Sequence, residues 1–115
     1  MKAFLLIFRR DAVTVSEEKR SPAEMEQMMK YWMDWIGGIA AQGKLLDPGN
    51  RLAVEGKVLK PNNIIVDGPY VEVKESIGGY IAVKADSLEE ALELSKGCPI
   101  LNVNGNVEIR EIIKM

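Results

Sequence analysis

The sequence predicts an α+β protein in which two helices cover one face of an antiparallel sheet. Three observations lead to this prediction. Apolar runs at residues 2–8 and 79–85 have the length and composition of strands. Each run precedes a helix that begins with a serine cap, at Ser21 and Ser87. Each helix is followed by further residues of strand character.

The first strand and helix have the clearest signals. Residues 2–8 are almost wholly apolar, which predicts a central strand that is buried on both faces. Residues 9–20 are polar and are predicted as a loop. Residues 21–24 form a helix start with a cap, a first-turn proline and a capping box, and Gly43 is expected to end that helix. Apolar residues at helical spacing predict its buried stripe: Met25, Met28, Met29, Trp32, Trp35, Ile36 and Ile39.

Two features of this helix carry further expectations. The pair Gly37–Gly38 costs about 1 kcal/mol per glycine relative to alanine, so we expect the helix backbone to pack closely on the sheet there. Trp32 and Trp35 are about 300° apart on a helical wheel, on neighbouring flanks of the helix. We therefore expect one of them to line a cleft.

The middle of the chain has weaker signals. Residues 45–50 contain Asp-Pro-Gly and are predicted as a turn region. Residues 51–59 form a weak strand pattern, with a hairpin tip expected near Glu55–Gly56. Residues 64–66 read as a short strand, and residues 107–113 as the last strand of the chain.

The second helix follows the strand at residues 79–85. Ser87 is its predicted cap and Glu90 closes a capping box. Gly97-Cys98-Pro99 is expected to stop it. Its apolar side is predicted to contain Leu88, Ala91, Leu92, Leu94 and Ser95.

This order of elements is the split βαβ pattern of a ferredoxin-like fold, in one domain that spans residues 1–115. Two helices cover only one sheet face, so the other face needs a different cover. We expect Phe4, Leu6, Ile81, Val83 and residues of the last strand on that second face. Packing of this face against a second copy predicts a homodimer, a dimeric α+β barrel.

Composition excludes several classes of partner. Fifteen basic and 17 acidic residues are interleaved, for a net charge of -2, and no basic stripe indicates nucleic acid. No apolar run approaches the roughly 20 residues that a membrane-spanning helix needs. The N-terminal residues lack the cleavage site of a signal peptide, and the single cysteine, Cys98, allows no intrachain disulfide. We therefore expect a cytoplasmic protein with neither nucleic acid nor membrane as partner.

The sequence contains no histidine. The commonest general acid/base and the commonest transition-metal ligand are thus both absent, so no metal site and no cofactor are predicted. Cys98 lies at a helix end before Pro99. The negative end of a helix raises the pKa of a thiol, so Cys98 is interpreted as structural.

Asp67-Gly68-Pro69-Tyr70 interrupts the strand pattern in an unusual way. Pro69 has no N–H, so the Asp67 side chain lacks the bond it commonly makes two residues on. The Gly68–Pro69 bond is open to either a trans or a cis form. Asp67 must then bond to more distant backbone, pair with a base (Lys74, Arg51 or Arg110), or contact a ligand. Mg²⁺ or Ca²⁺ would need Asp67 to converge with Glu72 and Glu75, but no recognised ligand spacing supports this.

The same residues carry a resemblance to a known family. Asp67-Gly68-Pro69-Tyr70 with Glu72, Lys74-Glu75 and Gly78-Gly79-Tyr80 resembles the signature of YCII-related proteins of the DGPF type, in which phenylalanine usually stands where this chain has Tyr70. The resemblance covers nearly the whole chain. It implies a dimeric α+β, ferredoxin-like fold.

The resemblance does not transfer a catalytic pair. Some members of that family have a His-Asp pair proposed as catalytic, and this chain has no histidine to accompany Asp67. Asp67 remains the only candidate catalytic residue. The candidate ligand-binding residues are Tyr70, Glu72, Glu75, Arg110, Trp32 and Tyr80.

Two functions stay open from the sequence. The favoured one is a homodimer that binds a small polar molecule or a protein partner and catalyses no reaction. The alternative is a small-molecule enzyme in which Asp67 is the base and Tyr70 or Arg110 orients the substrate. The alternative requires Asp67 to lie in a pocket that desolvates it.

Overall fold

The computed structural model describes residues 1–10, 21–68 and 76–115. Its strands are β1 (Lys2–Arg10), β2 (Leu45–Arg51), β3 (Gly56–Lys60), β4 (Ile64–Gly68), β5 (Ser76–Ala85) and β6 (Asn106–Glu111). Its helices are α1 (Pro22–Ala41) and α2 (Leu88–Ser95). Short 3-10 turns span Pro61–Asn63 and Pro99–Val103.

Four strands form the main sheet in the order β2-β5-β1-β6, and all neighbours are antiparallel. β5 lies between β1 and β2, which are joined through α1, as a split βαβ unit requires. The α+β class, the two helices and the antiparallel sheet are thereby confirmed. The strand order is consistent with the predicted ferredoxin-like fold.

The buried core lies between the helices and one face of this sheet. That face carries alternate residues of the central strands, since side chains along a strand alternate between faces. The expectation that Phe4, Leu6, Ile81 and Val83 lie on the face away from the helices is wrong. They belong to the buried core that both helices cover, which contains Phe4, Leu6, Phe8, Ile39, Ile81, Val83, Ala85, Ala91, Cys98 and Ile100.

The opposite side of the sheet carries the intervening residues. Here Ala3, Leu5 and Ile7 are half-buried, so the expectation of a β1 strand fully buried on both faces is wrong within the single chain. We call this side the open face. It carries Ala3, Leu5, Ile7, Tyr80, Ala82, Lys84, Glu108 and Arg110.

Helix α1 begins as predicted: the Ser21 hydroxyl accepts a hydrogen bond from the Glu24 N–H at 3.2 Å. It ends before Gly43, whose φ of 70° is the left-handed conformation expected there. The predicted stripe is wrong at two positions, because Met25 and Met29 are 56% and 61% exposed. Met25 lies in the first turn, and Met29 lies at the margin of the core-facing arc.

Close packing at Gly37–Gly38 is also wrong. A Cβ added at either glycine meets no atom within 4 Å. In α2, Leu88 and Leu92 are 52% and 49% exposed, contrary to the prediction. Ala91 and Ser95 are the buried residues of that helix. Leu92 follows Ala91 by one position, so it is turned about 100° away from this buried side.

Residues 45–51, predicted mainly as a turn region, are the edge strand β2. Its pairing with β5 shifts register twice, between Leu45 and Asp47 and between Asp47 and Asn50. Irregular edge strands use the same glycine and proline residues as turns, which explains the wrong prediction. Gly49 is required here, since its φ is 63° and an added Cβ would overlap the Tyr80 carbonyl.

β3 and β4 form a separate two-stranded sheet. The hairpin tip is Pro61–Asn63, not Glu55–Gly56 as predicted. Asn62 and Asn63 adopt positive φ values of 68° and 60°, which asparagine tolerates better than most residues. The strand predicted at residues 64–66 is confirmed and continues to Gly68.

Candidate ligand site on the open sheet face

The structure separates the predicted site residues into different places. Asp67 lies on the β3–β4 hairpin, Trp32 lies on α1, and Tyr80 and Arg110 lie on the open face. Tyr70, Glu72 and Glu75 lie outside the described residues, as do the Gly68–Pro69 bond and the proposed convergence of three carboxylates on Mg²⁺ or Ca²⁺.

Register pairing fixes how the open-face residues neighbour one another. Leu5 lies directly between Ala82 on β5 and Arg110 on β6. The next row places Ile7 between Tyr80 and Glu108. Directly paired residues have Cβ atoms about 5 Å apart and point to the same face. Leu5 is therefore at the centre of the open face.

Tyr80 is held by β2. Its register partner Asn50 donates a hydrogen bond from Nδ2 to the Tyr80 hydroxyl, at 3.4 Å. Because this hydroxyl oxygen acts as the acceptor, its own proton can still be donated. The hydroxyl has no acceptor for that proton among the described residues.

Glu108 is shared by two arginines. Arg9 Nε lies 3.1 Å from its Oε1, and Arg110 Nη1 lies 3.3 Å from its Oε2. The hydrogen bond from Arg110, followed by that from Arg9, holds the pKa of Glu108 below its ordinary value. Arg110 thus pairs with Glu108 rather than with Asp67, contrary to one sequence expectation.

Arg110 keeps most of its donors available. Its side chain is 70% exposed, and a guanidinium has five N–H groups. Lys84, the register partner of Ala3, is exposed and forms no ion pair within the described part of the chain. Two cations therefore lie close to Leu5 on the open face: Arg110 is its register partner, and Lys84 is the partner of Ala3 in the adjacent row.

Asp67 has a different environment. Its Oδ1 lies 2.7 Å from Lys57 Nζ, and the two side chains are 88% and 71% exposed. Lys57 was not among the bases considered for Asp67 from the sequence. The pair borders a shallow depression of about 420 Å³, together with Glu55 and Gly56.

Asp67 and Arg110 are not brought together. The hairpin follows β2 at one edge of the sheet, and Arg110 lies on β6 at the other edge. In the described structure Asp67 has the surroundings of a surface ion pair.

Trp32 packs in the helical layer, against the core. The centroid of its ring lies 4.9 Å from that of Phe8 and 5.8 Å from that of Trp35, and both pairs have edge-to-face geometry. Cys98 is buried nearby in the core, and burial raises the pKa of its thiol to about 12. The surroundings of Cys98 are those of a structural residue.

Sequence reasoning missed Asn50, Lys84 and Glu108 as members of a site. Glu108 lies in a strand that alternates polar and apolar residues, so the strand pattern contained a signal for it. Lys84 is the one charged residue of the apolar run at residues 79–85. Asn50 had no such signal, because it follows Asp47-Pro48-Gly49, a pattern typical of a turn and not of a strand.

The described residues contain neither a cluster of metal ligands nor a membrane-spanning helix. Residues 1–10, 21–68 and 76–115 contain no group of three His, Cys, Asp or Glu side chains placed to hold a metal ion. Neither helix in these ranges has an apolar stretch of the length that crossing a membrane requires.

Comparisons with known proteins identify the family. A search of curated proteins found no match. The family model for the YCII-related domain matches residues 2–115, almost the entire chain. With the split βαβ sheet and the aspartate of the Asp-Gly-Pro-Tyr motif in place, this match shows that the chain belongs to the YCII-related family.

Proposed function

We propose that this protein is a homodimer in which two open faces pack together, and that it binds a small polar molecule between the sheets without catalysing a reaction. The observation that carries the proposal is the uncovered row of Ala3, Leu5 and Ile7 in the middle of the sheet. Sheets that stack face to face are about 10 Å apart and bury such rows.

Interface size favours a contribution from the hairpin. Four strands at about 4.8 Å spacing and roughly 25 Å length present a projected area of about 500 Å². A stable interface needs about 800 Å² of each partner. The hairpin has Leu59 and Ile65, which are register partners, 70% and 64% exposed, and an isolated hairpin is only marginally stable in water. Packing of these two residues against the second copy would supply further area.

A binding module fits the described chemistry better than an enzyme. The open face offers hydrogen-bond donors from Tyr80 and Arg110, while Glu108 is engaged by its two arginines. Asp67 lies on the hairpin, with Lys57 as its partner. These groups suit recognition of a polar ligand.

The test is the molar mass in solution, measured by light scattering at micromolar concentration. Wild type is expected to have twice the chain mass of 12.8 kDa. Leu5→Lys is expected to give monomers, because it places a charge at the centre of the interface.

Leu92→Lys is the matched control, since Leu92 is an exposed leucine on the helical side. It should remain dimeric. Circular dichroism checks that both variants are folded. A monomeric wild type, or a Leu5→Lys variant that stays dimeric, would contradict the proposal.

A further inference from the structure

The open face combines an apolar floor with hydrogen-bond donors around it. The floor consists of Leu5 and Ala82, which are register partners at the centre of the sheet. Tyr80 lies two residues before Ala82 along β5, and Lys84 lies two residues after it. Arg110 borders Leu5 from β6. Donors therefore surround the floor on three sides.

These donors have few partners of their own. The Tyr80 hydroxyl accepts from Asn50 and keeps its proton for donation. Lys84 has no ion pair in the described ranges, and Arg110 donates one side-chain hydrogen bond, to Glu108. A ligand with two or more acceptor oxygens matches this set, because guanidinium and ammonium groups form their strongest hydrogen bonds with anions.

From this geometry we infer that the ligand is an organic anion: a carboxylate or phosphate group that contacts Arg110, Lys84 and Tyr80, attached to an apolar body that lies on Leu5 and Ala82. This inference rests on the proposed dimer. When two open faces pack together, Lys84 and Arg110 of both copies enter the interface. Arg110 already has Glu108 as its counter-charge, whereas Lys84 has none in the described ranges. A cation that loses water without gaining a counter-charge is costly, and a bound anion supplies that charge to Lys84.

A different arrangement would remove the need for an anion. Asp47 is the register partner of Ala82 and accepts the Gly49 N–H at 2.7 Å. If the second copy's Asp47 paired with Lys84, Lys84 would not need an anion, and a charged ligand would bind no more tightly than its neutral counterpart.

The probes are matched pairs of small molecules with and without charge: benzoate and benzamide, hexanoate and hexanamide, phenyl phosphate and phenol. Binding is followed by amide chemical-shift changes of Leu5, Ala82 and Arg110 in ¹⁵N NMR titrations. At least one anion is expected to bind about tenfold more tightly than its neutral counterpart, which is the effect of one charge-assisted hydrogen bond. Added salt should weaken the binding of that anion only.

Arg110→Gln and Lys84→Gln should each weaken the binding of that anion about tenfold and leave its neutral counterpart unchanged. Lys96→Gln is the matched control. Lys96 lies at the end of α2, where it pairs with Glu93, so this substitution should not affect binding. Light scattering on the same samples separates the possible failures. A dimer that shows no preference for the charged member of any pair overturns the anion assignment and leaves the dimer standing. A monomer overturns both.

Discussion

Trp35 donates its indole N–H to the main-chain carbonyl of Leu94, at 2.9 Å. This hydrogen bond joins α1 to α2 across 59 residues of sequence. It fixes the relative position of the two helices above the sheet. The bond is partly buried, and such a bond is costly to break when one partner stays behind without a replacement.

Trp35→Phe is expected to lower the free energy of unfolding by about 2 kcal/mol, because the Leu94 carbonyl loses its donor and the smaller ring leaves a gap. Urea unfolding followed by circular dichroism measures this. Trp32→Phe is the control, since it removes similar volume and Trp32 packs against the same core but forms no hydrogen bond within the described residues. Equal losses in the two variants would show that the hydrogen bond contributes nothing.

Gly37→Ala and Gly38→Ala are each expected to raise the free energy of unfolding by about 1 kcal/mol. Both glycines lie inside α1, and an added Cβ would enter open space. Thermal or urea unfolding measures the gain. Gly49→Ala serves as the opposite control and should destabilise the fold, because its positive φ and the nearby Tyr80 carbonyl leave no room for a Cβ. Destabilisation by the α1 substitutions would mean that something covers this side of the helix.

The ion pair between Lys44 and Glu90, at 2.9 Å, predicts a pH effect. The hydrogen bond from Lys44 holds the pKa of Glu90 below its ordinary value of 4.5, against the opposing effect of burial. A carboxyl group with a lowered folded pKa contributes stability that is present above pH 4.5 and is lost as pH falls through the folded value.

Glu90→Gln should therefore be less stable than wild type near neutral pH, and the gap between the two should narrow below about pH 4.5. Urea midpoints measured between about pH 3 and pH 7 show this directly. Glu93→Gln is the control. Glu93 and its partner Lys96 are both largely exposed, so this substitution should change the free energy of unfolding little at any pH. A gap that stays constant down to pH 3 would contradict the assignment.

Asp67→Asn should change the free energy of unfolding by less than about 0.5 kcal/mol. Its described contact is the exposed ion pair with Lys57, and exposed pairs of this kind contribute little. Lys57→Met should have a similarly small effect. A drop of several degrees in melting temperature with Asp67→Asn alone would show that this aspartate supports the Asp-Gly-Pro-Tyr segment in a way that the ion pair does not explain.

The sequence predicted elements well where one strong local signal decided the structure. The caps at Ser21 and Ser87 and the left-handed Gly43 were all located correctly, because capping depends on residues within one helical turn. The apolar run of β5 and the alternating pattern of β6 were sufficient to place those strands.

The errors arose where tertiary packing decides. Which face of β1 the helices cover cannot be read from an apolar run in which both faces look alike, so Phe4 and Leu6 were assigned to the wrong side. The β2 edge strand was missed because Pro48 and Gly49 have the same local signature in a bulged strand as in a turn. The environment of Tyr80 depends on register with Asn50, a relationship across 30 residues that no local pattern contains.

The burial of Cys98 has a practical consequence. Cys98 is 2% exposed, and the raised pKa of its thiol, about 12, keeps the thiol in the unreactive protonated form near neutral pH. The natural chain can therefore serve as its own background for maleimide or spin labelling. A single cysteine introduced on the hairpin or the open face would take up the label alone, and distances between two labelled copies could be read without altering the core.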